Sequence, residues 1–143
     1  MQVRTAVRAD VPAIVALYAD DALGAARETP GELARYQAAF DALDGELLVG
    51  EDDGRIVATL QLTTLQQLSS RGAKVAQIEA VRVASDLRGR GLGAQLVRFA
   101  VERARAAGCA RVQLTSHKER LDAHRFYEQL GFRRSHEGFK LYF

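Results

Sequence analysis

The sequence predicts a mixed α/β sheet, mostly antiparallel, with one parallel strand pair at its centre and helices on both faces. Three observations predict it. In LLVGEDDGRIVATLQL two apolar runs flank Asp52-Asp53-Gly54, the signal of a hairpin. Farther on, candidate strands over residues 75–83 and 111–115 are separated by a helical stretch, and a helical crossover makes two strands parallel. Between them, DLRGRGLGAQL (Asp86 to Leu96) sets three glycines where a helix begins, although a glycine inside a helix costs about 1 kcal/mol against alanine.

In chain order, residues 3–7 read as a short strand. Asp10 is placed to cap a helix whose first turn holds Pro12, and Ile14, Leu17 and Tyr18 give that helix an apolar stripe. A break at Thr29-Pro30-Gly31 precedes a second helix marked by Leu33, Tyr36, Gln37 and Phe40, ending near Asp44-Gly45. After the hairpin, whose second strand runs toward Leu68, comes a polar loop over 69–74 and then the strand 75–83. The helix over 91–107 carries Leu92, Leu96, Ala100 and Ala104 on one face and Gln95, Arg98, Glu102 and Arg105 on the other, and Gly108 ends it. The strand 111–115 follows, then a helix over 121–130 closed by Gly131. Two short strands, 132–135 and 139–143, complete the order βααβββαβαββ.

A chain of 143 residues fits one domain, taken here as 1–143. With 48% hydrophobic and 27% charged residues it builds a folded core rather than a disordered chain. The net charge of +2 is too small to argue for a nucleic-acid or membrane partner. Arg82, Arg88, Arg90, Arg98, Arg103 and Arg105 are scattered over loop and helix with no aromatic platform, against a nucleic-acid module. Cys109 is the only cysteine, so no internal disulfide forms. MQVRTAVRADVP lacks the apolar core of a signal peptide, and no apolar run nears the roughly 20 residues that span a bilayer. A cytoplasmic protein without a metal is the expectation.

The glycine-rich stretch follows a strand and opens a helix. Free N–H groups and the helix dipole at such a terminus favour phosphate, and glycine removes the Cβ atoms that would hold phosphate oxygens away. Arg88 and Arg90 add positive charge. The Walker pattern GxxxxGK[ST] is absent, because Gln95 and Leu96 stand where Lys and Ser/Thr belong. A dinucleotide fingerprint fits poorly: the third glycine is missing, and the next strand ends in Thr115-Ser116-His117 without a carboxylate. On spacing alone, a ligand-free glycine turn and a diphosphate cradle are equally good readings.

RGRGLG, read as Arg88-x-x-Gly91-x-Gly93, resembles the acyl-CoA pyrophosphate loop of the GNAT superfamily of N-acetyltransferases. The preceding IEAVRV and the later AHRFYEQLGF resemble that family's central strand and penultimate helix, in family order across Gln77 to Phe132. The resemblance implies a GNAT-like fold whose parallel strands splay around acetyl-CoA, with the acetyl group passing to an amine of a small molecule or peptide by direct attack. It implies that main-chain atoms of Val81, Arg82 and Val83 hold the pantetheine arm, one N–H polarising the thioester carbonyl. The pyrophosphate would rest on Arg88, Gly89, Arg90, Gly91, Leu92, Gly93 and Ala94. Dimers are common in the family, so monomer and homodimer both stay open.

Ala123, Phe126, Tyr127 and Leu130 form an i, i+3, i+4, i+7 stripe, so Tyr127 faces inward. By resemblance it is the general acid for the departing thiolate; by stripe alone it is a core tyrosine. Glu79 is the candidate general base, and alternation puts it on the side of Val81 and Val83, barring a bulge. An ordinary ion pair with an arginine is its alternative role. His117, or water, is the other base candidate. The asparagine that the family often carries before the tyrosine helix is missing; Ser116-His117-Lys118 and Leu121-Asp122 stand there. The acceptor would be lined by the N-terminal helices, the 66–74 loop and the 135–138 turn, with Asp20, Asp21 and Glu28 as possible attractors of a cationic amine. A non-catalytic acyl-CoA-binding regulator of the same fold is the rival to the enzyme, and such a module has no use for Glu79 or Tyr127.

Overall fold

The computed structural model describes all residues from Met1 to Phe143. They fall into two compact units, Met1–Gln113 and Leu114–Phe143.

The first unit is built on a five-stranded sheet in the order β1-β2-β3-β4-β5. The strands are β1 (Gln2–Thr5), β2 (Glu46–Asp52), β3 (Arg55–Gln66), β4 (Lys74–Val83) and β5 (Arg111–Gln113). The first four pair antiparallel in sequence, and β4 and β5 pair parallel. The β2–β3 hairpin turns at Asp53 and Gly54, with φ +48° and +76°. Two positive φ values are the signature of the tight turn that matches strand twist, as Asp-Gly predicts.

Helices α1 (Val11–Tyr18), α2 (Ala22–Arg27) and α3 (Leu33–Asp41) separate β1 from β2. Ile14 of α1 joins Ala6, Leu47 and Val49 in a core patch, with Tyr18, Phe40, Leu43 and Ile56 packed against it. Alternation sends Glu46 and Leu48 to the opposite face. There α5 (Leu92–Ala106) packs, its Arg103 paired with Glu46 at 3.4 Å. Leu96, Val97, Ala100 and Ala104 of α5 are buried; of the stripe that helical spacing predicts, Leu92 in the first turn stays half-exposed, and Val97 joins the buried face. Both faces of the sheet are therefore covered, and Leu48, Val49, Ala58, Thr59 and Leu60 have no exposed surface. The one buried polar side chain among them, Thr59, donates its hydroxyl to the Leu48 carbonyl at 3.0 Å.

Three local expectations are corrected. Asp10 is the N-cap of α1, yet its carboxylate does not cap the helix; it accepts from Val7 N–H at 2.8 Å and pairs with Arg4 at 2.7 Å. The expected order has two helices between the first two strands, but there are three: Asp21 accepts from Gly24 N–H at 2.6 Å and starts the extra helix α2. The 69–74 loop contains α4 (Ser69–Gly72), a single turn with Ser70 and Arg71 in left-handed conformation.

The second unit carries α6 (Leu121–Gln129). Its two expected strands, 132–135 and 139–143, do not form. A strand exists only where another chain segment completes its hydrogen bonds, and no ladder includes these residues. Phe139, Leu141, Tyr142 and Phe143 are exposed. The second parallel strand is also shorter than expected, ending at Gln113 rather than at Thr115.

Candidate functional site

The glycine loop is pinned at its start. Ala84 N–H donates to Val57 at 2.8 Å, and the Asp20 carboxylate accepts from Ser85 N–H at 2.6 Å and from its hydroxyl at 3.0 Å. Asp86 holds Arg55 through two hydrogen bonds of 2.8 and 3.0 Å, which keep the Asp86 carboxyl below its ordinary range. Arg88 reaches back to the carbonyls of Val83 and Asp20 at 3.2 and 3.3 Å.

Beyond these anchors the main chain is left open. The N–H groups of residues 88–94 donate to no protein acceptor; the next amide, Gln95, donates to Gly91 at 3.0 Å. A first helical turn always leaves such donors, but here the array begins four residues before α5. Gly91, the N-cap, sits at φ +80°, and no protein atom lies within 4 Å of where a side chain would start. Left-handed backbone and open space beside unpaired donors suit a diphosphate, with the dipole of α5 adding attraction.

Strand β4 leads into this loop. Its pairing with β5 ends at Gln77↔Gln113, so the edge over residues 78–83 carries no ladder on that side. On the other side Gln61 faces Glu79 and Thr59 faces Arg82, three steps along β4 against two along β3. The extra residue is a β-bulge, with Ala80 at φ +52°. It overturns the simple alternation: Glu79 shares its face with Arg82, and Val81 and Val83 turn the other way. Glu79 is exposed and makes no ion pair or hydrogen bond, so the expected alternative of an arginine partner is not realised.

Arg82 lies on the same face as Val49 and Thr59, toward α1. Its Nη1 donates to the Val81 carbonyl at 2.9 Å, its Nε is shielded without a partner, and no carboxylate pairs with it. Tyr18 is its neighbour in charge: the Tyr18 phenol is raised to about 12, chiefly by burial, with the Arg82 guanidinium opposing the rise and Glu28 adding to it. The three acids expected to attract an amine have structural work. Asp20 holds Ser85, Asp21 caps α2, and Glu28 accepts from the Tyr36 hydroxyl at 2.9 Å. Sequence reasoning assigns Arg82 only a main-chain role in coenzyme binding, and no sequence signal marks the bulge that sets its side chain on the face of Glu79.

In the second unit, Ala123, Phe126, Tyr127 and Leu130 are the half-buried stripe of α6. The Tyr127 ring meets Phe126 and Phe132 edge-on at 5.0 and 5.8 Å. The His117 Nδ1 accepts from Glu119 N–H at 3.3 Å, and the His117 carbonyl meets His124 Nε2 at 2.9 Å. Where the asparagine is missing, the Ser116 hydroxyl is shielded and unpartnered. Lys118 is paired with Glu137 at 3.3 Å and Arg125 with Asp122. No group of metal-ligating side chains exists, and no helix is long and apolar enough to cross a membrane.

Comparison with known proteins fits this geometry. A probable glucosamine 6-phosphate N-acetyltransferase of Oryza sativa is 38% identical over 110 residues, covering 73% of this chain and 64% of that protein. An L-methionine sulfoximine/L-methionine sulfone acetyltransferase of Pseudomonas paraeruginosa is 37% identical, covering 74% and 64%. The chain thus spans less than two thirds of the length of these curated relatives. A crystal structure from Bacillus halodurans, described as a transcriptional regulator, superposes with a TM-score of 0.91 at 42% identity over 99% of both chains. The model of the acetyltransferase (GNAT) family matches residues 11–132, and the chain belongs to that family.

Proposed function

We propose that the two units act together, as one domain over residues 1–143, to move the acetyl group of acetyl-CoA to an amine. The observation that carries this is the run of unpaired amides over residues 88–94, left open beside Gly91. Those N–H groups, with Arg88 and Arg90 alongside, take the coenzyme diphosphate. The unladdered edge of β4 beyond Gln77 offers main-chain groups of Val81, Arg82 and Val83 to the pantetheine arm. One N–H there stabilises the charge that develops on the thioester oxygen.

In the reaction the amine nitrogen bonds to the thioester carbon and the carbon–sulfur bond breaks. Glu79, exposed and unpaired, accepts the proton the amine loses. Tyr127 donates its phenolic proton to the leaving sulfur. No acyl-enzyme forms. Two relatives are named for small molecules that carry an amine, glucosamine 6-phosphate and methionine sulfoximine, which supports a small acceptor here.

The test is release of coenzyme thiol when the protein is incubated with acetyl-CoA and a panel of amines. Amine-dependent release supports the transfer. Binding of acetyl-CoA by calorimetry with no release from any amine favours the second reading, a non-catalytic acyl-CoA-binding regulator. The description of the Bacillus halodurans protein as a transcriptional regulator is the observation on that side. Neither heat nor a shifted melting curve with acetyl-CoA would end both.

A further inference from the structure

We infer that the side chain of Arg82 is an anchor for an anionic group on the acceptor, so that the preferred acceptor is a small amine that also bears a carboxylate or phosphate. This rests on the acetyl-transfer reading above and narrows its substrate class.

The argument starts from the bulge at Ala80. By inserting one residue it places a carboxylate, Glu79, and a guanidinium, Arg82, on one face of β4. They stand opposite β3 residues two apart, Gln61 and Thr59, so their main chains are separated by roughly 6–7 Å. The two do not neutralise each other, since neither makes an ion pair. An arginine with a shielded Nε and no acceptor for it is uncommon, because a buried donor left unpaired costs free energy. Nη1 is used by the Val81 carbonyl, whereas Nη2 is neither shielded nor hydrogen-bonded within the chain, so an incoming anion pairs with the cation there.

Tyr18 adds a second donor. It sits close enough to Arg82 to feel its charge, its hydroxyl has no protein hydrogen-bond partner, and it remains a neutral phenol through the physiological range. The nearby acids do not compete for Arg82: Glu28 is held by Tyr36 and Asp20 by Ser85. What remains is a cation with a phenol beside it, and one strand bulge away an open carboxylate. That pattern is complementary to a molecule with an ammonium at one end and an anion at the other. A neutral amine would leave Arg82 unanswered.

The experiment compares matched pairs, phosphoethanolamine with ethanolamine and β-alanine with β-alaninamide, on the full chain. Thiol release gives kcat/KM for each, and calorimetry on coenzyme-A-saturated protein gives affinity. In the parent protein the anionic member of a pair is preferred tenfold or more. Arg82→Met brings that ratio to within twofold of unity, and Arg82→Lys retains part of it. A ratio near one in the parent, or an unchanged ratio in Arg82→Met, overturns the assignment. A binding preference that Arg82→Met abolishes, without thiol release from any amine, supports the anchor and overturns the transfer. Thiol release with no preference in rate or affinity does the reverse.

Discussion

Tyr127 and Phe132 are joined twice: the Tyr127 carbonyl accepts the Phe132 amide at 3.0 Å, and their rings meet edge-on at 5.8 Å. With Gly131 N–H donating to Glu128 at 3.0 Å and Gly131 at φ +93°, this is a Schellman motif with its accompanying apolar contact. The Leu-Gly-Phe run therefore has a local physical purpose. It ends α6 and fixes one wall of the Tyr127 ring. Phe132→Ala is expected to lower kcat severalfold or more while leaving the KM for acetyl-CoA within about twofold. Equal effects on both constants would show that Phe132 serves general stability instead.

Tyr127→Phe removes only the phenolic oxygen. If Tyr127 protonates the leaving thiolate, kcat falls by roughly 10²–10⁴. The measurement is steady-state thiol release, with calorimetry confirming that acetyl-CoA still binds. A fall smaller than twofold with binding intact removes Tyr127 from the acid role.

Gly91 separates backbone cost from ligand cost. Gly91→Ala forces a side chain into left-handed conformation, worth roughly 1–2 kcal/mol of stability. No protein atom opposes the added carbon, so the remaining effect falls on the coenzyme. The expected outcome is a KM for acetyl-CoA raised tenfold or more, beside a melting temperature only a few degrees lower. A lowered melting temperature with unchanged KM would mean that the loop does not meet the diphosphate.

Asp10 gives the molecule a dependence on acid. Its hydrogen bonds from Arg4 hold its carboxyl below the ordinary value of 3.8, with Val7 N–H helping and partial burial opposing. The ion pair therefore stabilises the fold fully above that value and is lost as pH falls through the lowered one. Asp10→Asn should be less stable than the parent at pH 7, the difference shrinking below about pH 4. Denaturant melts at a series of pH values read this directly, and a difference constant down to pH 2 would contradict it.

Leu96 tests the α5 face. It has no exposed surface, so Leu96→Ala costs about 2–5 kcal/mol in denaturant unfolding. A cost under 1 kcal/mol would mean that the face is loosely packed.

Much of this is legible in the sequence alone. Asp53-Gly54 specifies its turn by chemistry, and the α5 stripe specifies its buried face by period. What escaped reading is non-local. Nothing in IEAVRV marks an extra residue, because Ala80 has no glycine or proline to announce its positive φ; only the register against β3 reveals it. The alternation of Phe139, Leu141 and Phe143 signals a strand but cannot name a neighbour to pair with. Asp10 has the sequence position of a cap, yet Arg4 claims its carboxylate from the adjacent strand.

The single inserted residue in β4 has a consequence for how such a protein can diversify. Positions before and after Ala80 are out of phase, so a substitution at Glu79 or Arg82 is felt toward α1 while one at Val81 or Val83 is felt toward α5. Neighbouring codons thus address opposite sides of the molecule. If Arg82 selects the incoming nucleophile as proposed, that selectivity can drift at Arg82 without disturbing Val81 or Val83.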